Sequence, residues 1–261
     1  MVQSNPTQPT KLPQSKDGIP GFSRVTGEVQ HRLVMSIQGI QKTGKTSFGL
    51  SGPGPIALLN LDLGDEGVVQ KYTSEKAIYK NDYRAKRRMA REDYTALWEK
   101  LKNDYYTALD SPILRTLLFD TATDGWEMCR LARHGKLSQV LPRDYDFVNF
   151  EFKELIKEAL HSNKNVIFIH QVKDEYINDK STGNKIMSGF KKMPFEVQLV
   201  METTTFDEKD KDGLGNRIFG ARIVDCRHDP LLNGMDFIEE DFNFTTVATA
   251  LFPDTTEKDW E

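Results

Sequence analysis

The 261-residue chain has a formal net charge of −4, and 38% of its residues are hydrophobic. That share is enough to bury the core of one sizeable α/β domain, and the charge excludes a uniformly basic nucleic-acid-binding protein. Cys129 and Cys226 lie in no CxxC pair, which disfavours a zinc site or a disulfide framework and favours a cytoplasmic location. No apolar run approaches the roughly 20 residues of a membrane span, so we expect no membrane partner.

Three regions differ in composition. Residues 1–25 are rich in Pro, Gln, Ser and Thr, lack the apolar core of a signal peptide, and predict a flexible N-terminal arm. Residues 26–235 are predicted to form the folded domain. Residues 236–261 hold eight acids and one lysine and predict an acidic tail. Such a tail either solubilises the protein, competes with DNA for basic surfaces, or offers Trp260 to a partner.

Short apolar runs alternate with helix-compatible segments, as expected when parallel strands are connected by helices. The predicted strands are RLVMSI (32–37), PIALLNLDL (55–63), ILRTLLFD (113–120) and NVIFIHQ (165–171). The predicted helices cover 45–51, 82–108, 124–135 and 146–162. Two later runs, 195–206 and 216–227, flank DEKDKDGLG and predict an antiparallel hairpin that extends the sheet.

The stretch GIQKTGKT, residues 39–46, has the spacing G-x-x-x-x-G-K-T between a predicted strand and a predicted helix. In such a loop the glycines let backbone N–H groups turn toward a phosphate, and the helix adds the positive end of its dipole. Lys45 is predicted to reach the β- and γ-phosphates, and Thr46 to bind Mg²⁺. The residues predicted to cradle the nucleotide are Gly39, Ile40, Gln41, Lys42, Thr43, Gly44, Lys45, Thr46 and Ser47.

Acidic residues follow two of the predicted strands. Asp120 closes LLFD and is predicted to hold Mg²⁺ together with Thr46, although a carboxylate there can also cap the next helix. Asp62, Asp65 and Glu66 follow the second strand, at the edge where ligands bind open α/β sheets. Asp62 is favoured as the catalytic group that activates water, Glu66 is the alternative, and solvation of the loop is the third interpretation.

The segment VIFIHQVK, residues 166–173, resembles the strand of RecA-type recombinases that ends in a glutamine sensing the γ-phosphate. The order of motifs over residues 31–228 is also similar, and the chain looks most like short phage-encoded RecA-like ATPases of single-strand annealing and recombination. This resemblance implies a RecA-like P-loop NTPase core that binds ATP and Mg²⁺, with a mostly parallel sheet flanked by helices and a C-terminal antiparallel hairpin.

The resemblance also implies residue roles. The chain departs from the family in three places, namely the missing oligomerisation domain, the ambiguous acid after the second strand, and a long insertion at about 68–110. Gln171 would sense the γ-phosphate. Arg227, or else Arg222, would reach the nucleotide of a neighbouring subunit, unless it forms a structural salt bridge instead. The chain lacks the dedicated oligomerisation domain of full-length recombinases. The resemblance nevertheless implies a ring or filament of identical subunits.

In RecA-like proteins two loops at this edge of the sheet bind single-stranded DNA. By position the first would be 135–146, and the second would follow Gln171 as a long loop, VKDEYINDKSTGNKIMSGFKKMPF. Lysines there can pair with phosphates and aromatic rings can stack on bases, whereas the acids favour an ordinary solvated loop. The DNA-binding candidates in the second loop are Lys173, Lys185, Phe190, Lys191 and Lys192.

An insertion at about 68–110 separates the second and third predicted strands and is predicted to be largely helical. Its densest basic run is RAKRRMAR, residues 84–91, in which Arg87 and Arg88 are candidates for contact with nucleic acid. Docking on an acidic neighbour and an ordinary solvated helix surface are the alternatives.

These features together predict a Mg²⁺-dependent ATPase, stimulated by single-stranded DNA, that promotes phage DNA recombination or single-strand annealing in a bacterial host cytoplasm. A single-stranded DNA-binding protein is a candidate partner. Two alternatives stay open, namely a nucleotide-stabilised annealing module with negligible turnover and a ring helicase motor.

Overall fold

The computed structural model describes residues 21–22, 30–137, 140–209 and 215–260. The chain divides into two units, Met1–His31 and Arg32–Glu261, and the second unit carries the sheet and the helices. The N-terminal arm predicted over 1–25 lies outside the described residues apart from 21–22. Positions 138–139 of the first predicted DNA loop and 210–214 of the predicted hairpin turn also lie outside them.

A mostly parallel sheet organises the described part of the chain. Its strands are β1 (Val34–Gly39), β2 (Ile56–Asn60), β3 (Ile78–Asp82), β4 (Thr116–Asp120), β5 (Asn165–Ile177), β6 (Lys180–Met187), β7 (Leu199–Lys209), β8 (Gly215–Cys226) and β9 (Asp236–Ile238). They lie in the order β3-β2-β4-β5-β1-β7-β8-β9, with β6 paired to β5. The strands from β3 to β7 along this order run parallel, whereas β8 pairs antiparallel with both β7 and β9. The predicted parallel core with a C-terminal antiparallel hairpin is confirmed.

Helices cover both faces of this sheet. They are α1 (Lys45–Leu50), α2 (Arg91–Asp110), α3 (Ala122–His134), α4 (Tyr145–His161), α5 (Met193–Glu196) and α6 (Phe244–Leu251). Helices α2, α3 and α4 pack on one face with Phe119, while α1 and α6 pack on the other with Leu118. Because neighbouring strand residues point into opposite cores, β4 is buried along its whole length, which accounts for its apolar sequence.

The predicted helix over 82–108 is wrong at its start. Residues 78–82 form β3, which adds a parallel strand beside β2, and the helix begins only at Arg91. Arg88 has a φ of 62°, a left-handed value that a right-handed helix excludes. The Asp93 carboxylate accepts a hydrogen bond from the Ala90 N–H at 2.8 Å and so marks the start of the helix. The run RAKRRMAR is therefore mostly a loop that follows β3.

The long loop predicted after Gln171 is a β-hairpin instead. Strand β5 continues to Ile177, and β6 returns antiparallel from Lys180. Asn178 and Asp179 connect them with φ values of 51° and 61°, as a tight two-residue turn requires. Since β5 pairs with β1 only as far as Gln171, the β5–β6 hairpin (residues 172–187) extends beyond the carboxyl edge of the parallel strands.

Residues 236–260 belong to the fold, so the prediction of a separate acidic tail is wrong. They form β9, α6 and a final turn, Glu257–Trp260. Trp260 is 2% exposed and packs against the rings of Phe244 and Phe252, with centroid distances of 6.0 and 5.4 Å. The acids lie outside this apolar cluster, and Trp260 is not available to a partner.

Candidate functional site

The loop between β1 and α1 is shaped by its two glycines. A Cβ at Gly39 would lie 1.9 Å from Oγ1 of Thr203, so no other residue fits there without a displacement of Thr203. Gly44, which precedes α1, has a left-handed φ of 86°. Lys45 folds back over the loop, and its Nζ donates to the carbonyl oxygens of Gly39 and Ile40 at 3.0 and 2.5 Å. Burial lowers the pKa of Lys45.

A cavity of 760 Å³ lies over this loop. Its volume is within the range of about 300–1,000 Å³ that small-molecule sites occupy. The cavity is lined by residues 39–47 together with Asp62, Gly64, Val68, Asp120, Thr121, Gln171 and Val172. The predicted phosphate-binding residues thus meet the polar candidates from the ends of β2, β4 and β5 in one place.

Asp120 and Thr46 form the polar centre of this cavity. Asp120 is 1% exposed, and its Oδ2 accepts a hydrogen bond from Oγ1 of Thr46 at 2.6 Å. Burial raises the pKa of Asp120 to about 7, the negative charge of Asp62 adds to that rise, and the Thr46 hydroxyl and Lys45 oppose it. A hydroxyl and a carboxylate are hard oxygen donors of the kind that Mg²⁺ prefers. These two residues therefore fit a Mg²⁺ site.

The three acids after β2 occupy different environments. Asp62 lines the cavity and is exposed. Its charge adds to the raised pKa of Asp120 and partly offsets the lowering of the Lys45 pKa by burial. Asp65 is buried and accepts hydrogen bonds from Asn60 and Lys80, each at 3.0 Å, so it has a structural role. Glu66 is exposed and is not part of the cavity lining among the described residues.

Gln171 lies where β5 leaves the sheet and enters the β5–β6 hairpin. It is opposite Gly39 in the β1–β5 register, and the next residue, Val172, already pairs with β6. Its backbone N–H donates to Oγ1 of Thr123 at 3.0 Å, and its side-chain amide donates to Oδ2 of Asp124 at 3.3 Å. Gln171 therefore lines the cavity, is hydrogen-bonded to the start of α3, and is adjacent in the chain to the hairpin.

Two polar residues of the site were missed from the sequence. Asp124, on the first turn of α3, accepts hydrogen bonds from Gln171 and Thr121, and burial raises its pKa. Thr203 of β7 places its Oγ1 2.6 Å from Oγ1 of Thr43 in the loop. The pattern D-T-x-x-D at 120–124 could have indicated Asp124, whereas no local signal links Thr203 to the loop.

The lysines predicted to contact DNA are exposed, but the aromatic residue among them is not. Lys173 lies on the β5–β6 hairpin, and Lys185 pairs there with Asp174 at 2.6 Å. Phe190 is 1% exposed and packs against Phe152 at a ring distance of 6.1 Å. Its predicted role in stacking on bases is wrong, because its ring belongs to the core. Lys191 and Lys192, which follow it, are exposed.

The run after β3 forms a basic cleft of 370 Å³. Arg87 and Arg88 are exposed and line it. The other lining residues are Arg84, Lys86, Met89, Asp93, Ala96, Leu97 and Lys100. Because β3 runs parallel to β2, this cleft follows the same carboxyl edge of the sheet as the loop over β1. We refer to it as the basic cleft.

The two candidate arginines, Arg222 in β8 and Arg227 directly after it, are not among the residues that line the cavity. Arg222 forms a bidentate salt bridge with Asp236, at 2.8 and 2.7 Å, which favours the structural interpretation for that residue. Arg227 follows Cys226, which is opposite Leu199 at the amino end of β7, and its Nη2 donates to the carbonyl oxygen of Phe195 at 2.7 Å. Within one subunit Arg227 therefore lies at the edge of the sheet opposite the cavity.

Comparison with known proteins gives one family. The family described as AAA domain matches residues 31–224, which includes β1, the glycine loop, Asp120 and Gln171. No curated protein matches the chain. None of the described helices is long and apolar enough to cross a membrane.

Proposed function

The chain belongs to the AAA domain family of P-loop nucleotide-binding ATPases, and from this premise we propose that it hydrolyses ATP with Mg²⁺ and couples its nucleotide state to single-stranded DNA. The observation that carries the proposal is the position of Gln171. Its side chain lines the cavity, and the residue directly precedes the exposed β5–β6 hairpin. A group in that position can transmit the presence of a γ-phosphate to the hairpin.

The residues of the cavity have different roles in the proposed phosphoryl transfer. Backbone N–H groups of the loop and the start of α1 hold the phosphate chain, and Lys45 leaves its contacts with Gly39 and Ile40 to neutralise the β- and γ-phosphates. Thr46 and Asp120 would hold Mg²⁺, and the bound cation would neutralise charge on the phosphate oxygens.

Asp62 orients the attacking water in this proposal. It is the acid after β2 that lines the cavity, whereas Asp65 is tied to Asn60 and Lys80. A carboxylate in this position accepts a proton from water as the water oxygen bonds to the γ-phosphorus. The bond from that phosphorus to the β–γ bridging oxygen breaks, ADP and phosphate leave, and the carboxylate returns its proton to solvent. Gln171 donates through its amide, so it stabilises phosphate oxygen and does not act as a base.

Support for a DNA site comes from exposed cations on and around the carboxyl edge. Lys173 lies on the β5–β6 hairpin, Lys191 and Lys192 follow it toward α5, and Arg87 and Arg88 line the basic cleft. Phosphate contacts of this type give binding that depends on salt and not on sequence. The resemblance of the ordered motifs to RecA-like proteins supports recombination or annealing of phage DNA as the process served, with a single-stranded DNA-binding protein as a candidate partner.

The placement of Arg227 favours a head-to-tail assembly. It lies at the edge opposite its own cavity, so it reaches a nucleotide only when the next subunit presents its carboxyl edge there. Phe195, whose carbonyl accepts its hydrogen bond, is 78% exposed and offers apolar surface at the same place. Head-to-tail contacts generate rings or filaments, which is the assembly we propose.

ATP turnover by the wild type and by Lys45→Ala, each with and without single-stranded DNA, tests the proposal. We expect DNA to stimulate turnover in the wild type and Lys45→Ala to abolish it, because the loop then lacks its phosphate-binding cation. Turnover that ignores DNA contradicts the coupling. ATP binding without turnover would support a nucleotide-stabilised annealing module in place of an ATPase.

A further inference from the structure

The segment that follows β9 lies next to the phosphate-binding loop. Strand β9 is antiparallel to β8, which is antiparallel to β7, so β9 runs in the direction of β1 and ends at the same edge of the sheet. The chain then makes a turn at Glu239–Asp241 and reaches Phe242 before α6 begins. This C-terminal segment was expected to be a tail, and nothing in the proposed mechanism uses it.

Phe242 contacts both the loop and the helix that follows it. Its ring stacks on Phe48 of α1, with a centroid distance of 5.2 Å and an interplanar angle of 19°. A Cβ built on Gly44 would lie 3.2 Å from Cε1 of Phe242, so the ring is in van der Waals range of a residue that lines the cavity. Phe242 is only partly buried, which leaves part of its ring accessible.

The neighbouring residues fix the segment in this position. The N–H of Phe244 donates to Oγ of Ser51 at 2.8 Å, at the end of α1. The Asn243 side chain caps α6 through the N–H of Thr246 at 2.9 Å. Residues 44, 48 and 51 lie on one side of α1, and the segment runs along that side. The ring of Phe242 is therefore held in place before any ligand binds.

The direction of the phosphate chain brings the base toward this ring. Asp62, Asp120 and Gln171, which mark the γ-phosphate end, come from β2, β4 and β5, on one side of β1. The other end of a nucleoside triphosphate must extend away from them, past the start of α1 and toward the side of β1 that holds β7, β8 and β9. Phe242 follows β9 on that side and borders Gly44.

We propose that Phe242 contacts the base of the bound nucleotide and so favours a nucleotide over a bare polyphosphate. An aromatic ring that is already packed on Phe48 contacts a planar base with little loss of side-chain entropy. The inference rests on the proposed function, since it requires a nucleotide in the cavity. The glycine loop by itself can bind the phosphates of any polyphosphate. The ring of Phe242 would add a contact that only a ligand with a base can make.

Binding of two ligands in the presence of Mg²⁺ tests this assignment by calorimetry. One ligand is a non-hydrolysable ATP analogue, and the other is inorganic tripolyphosphate, which has the phosphates but no base. We expect Phe242→Ala to weaken the ATP analogue about tenfold, which is about 1.4 kcal/mol, and to leave tripolyphosphate unchanged, because the contact between the base and the aromatic ring is lost. We expect Phe242→Tyr to retain the wild-type affinity for both ligands.

Phe147→Ala is the matched control, because this exposed phenylalanine lies on α4, on the other face of the sheet. Equal weakening of both ligands by Phe242→Ala would show that the ring only supports the loop, and no weakening of the analogue would also overturn the inference. Should Phe242→Ala unfold, Phe242→Leu keeps apolar bulk against Phe48 and carries the same comparison. A wild type that binds neither ligand contradicts the proposed function itself, which separates the two failures.

Discussion

The hydroxyl of Thr46 donates a hydrogen bond to the buried carboxylate of Asp120 across 2.6 Å, and so connects the start of α1 to the end of β4. The two oxygen atoms belong to residues 74 positions apart in the chain. Both oxygens are ligands that Mg²⁺ favours, and the carboxylate lies in an environment that disfavours its charge. A cation bound at this site would stabilise the ionised form of the Asp120 carboxylate. This dependence on the charge of Asp120 can be measured.

The stability of the ligand-free protein depends on the ionisation of Asp120. Its pKa is raised from 3.8 to about 7, so between these values the folded protein holds a proton that the unfolded chain releases. The stability linked to this proton is complete below about pH 3.8 and is lost as the pH rises through about 7. We expect the free energy of unfolding of the wild type, minus that of Asp120→Asn, to fall across this window and to level off above it. Urea denaturation at a series of pH values measures this difference.

A difference that increases with pH would show that Asp120 is stabilised as an anion in the ligand-free fold. Mg²⁺ reverses the preference, because it binds the carboxylate and competes with the proton. The Mg²⁺-dependent part of nucleotide affinity should therefore increase as the pH approaches 7. The Mg²⁺-independent part provides the control in the same titration.

Removing the carboxylate of Asp62 should slow hydrolysis far more than removing that of Glu66. Asp62 lines the cavity and Glu66 does not, although only four positions separate them. We expect Asp62→Asn to lower kcat by about 10²–10⁴-fold with ATP binding retained, as for loss of a general base. Glu66→Gln is the matched control and should retain wild-type turnover. Steady-state kinetics of both variants decide between the two acids, and a larger loss in Glu66→Gln would reverse the assignment.

Trp260, in the turn Glu257–Trp260, should contribute strongly to stability. Its ring packs against Phe244 and Phe252, and its Nε1 donates to Oγ1 of Thr255 at 2.8 Å. We expect Trp260→Ala to lower the free energy of unfolding by about 3–5 kcal/mol, the usual cost of truncating a buried aromatic residue. Chemical denaturation measures the loss.

Lys258→Ala serves as the control for that measurement, because Lys258 lies on the same final turn and is exposed. If the two variants were equally stable, the turn would not pack on α6 in solution. The segment would then behave as a free tail.

The basic cleft and the lysines after the hairpin should both determine the salt dependence of DNA binding. Each lysine or arginine that contacts a phosphate of single-stranded DNA contributes about 0.7 to the slope of log affinity against log salt. We expect the double variants Arg87→Gln/Arg88→Gln and Lys191→Gln/Lys192→Gln each to reduce the slope by up to about 1.4. Fluorescence anisotropy with labelled oligothymidine over a series of salt concentrations measures it.

Charge removal elsewhere controls for a general electrostatic effect. Lys157, which pairs with Glu154 on α4, and Lys258 are suitable sites, and Lys157→Gln/Lys258→Gln should leave the slope unchanged. An unchanged slope in one of the two test variants would exclude that surface as a phosphate contact, and equal effects in all three variants would indicate non-specific attraction.

Much of the sheet could be predicted from the sequence because its central strands are buried on both faces. Such strands must be apolar along their length, and short apolar runs bounded by glycine, proline or an acid identify β1, β2, β4 and the start of β5. The glycine loop could also be predicted from the sequence, because the spacing of its glycines follows from the backbone conformation that phosphate binding requires.

The elements that were missed have polar sequences and depend on partners distant in the chain. Strand β3 reads IYKND and is held by its pairing with β2 at the edge of the sheet. The β5–β6 hairpin is largely exposed, so no alternation of apolar residues indicated it. Phe190 follows a polar stretch, and only the packing of α4 shows that its ring is buried. In each case tertiary contacts decided what local composition could not.

The most direct test of the account is whether nucleotide binding changes DNA affinity through Gln171. The affinity of labelled oligothymidine should be measured with and without a non-hydrolysable ATP analogue, for the wild type and for Gln171→Ala. We predict that the analogue tightens DNA binding by the wild type about tenfold, a typical coupling between two sites, and that Gln171→Ala binds the analogue but loses the coupling. A wild type whose DNA affinity is indifferent to the analogue would contradict the account.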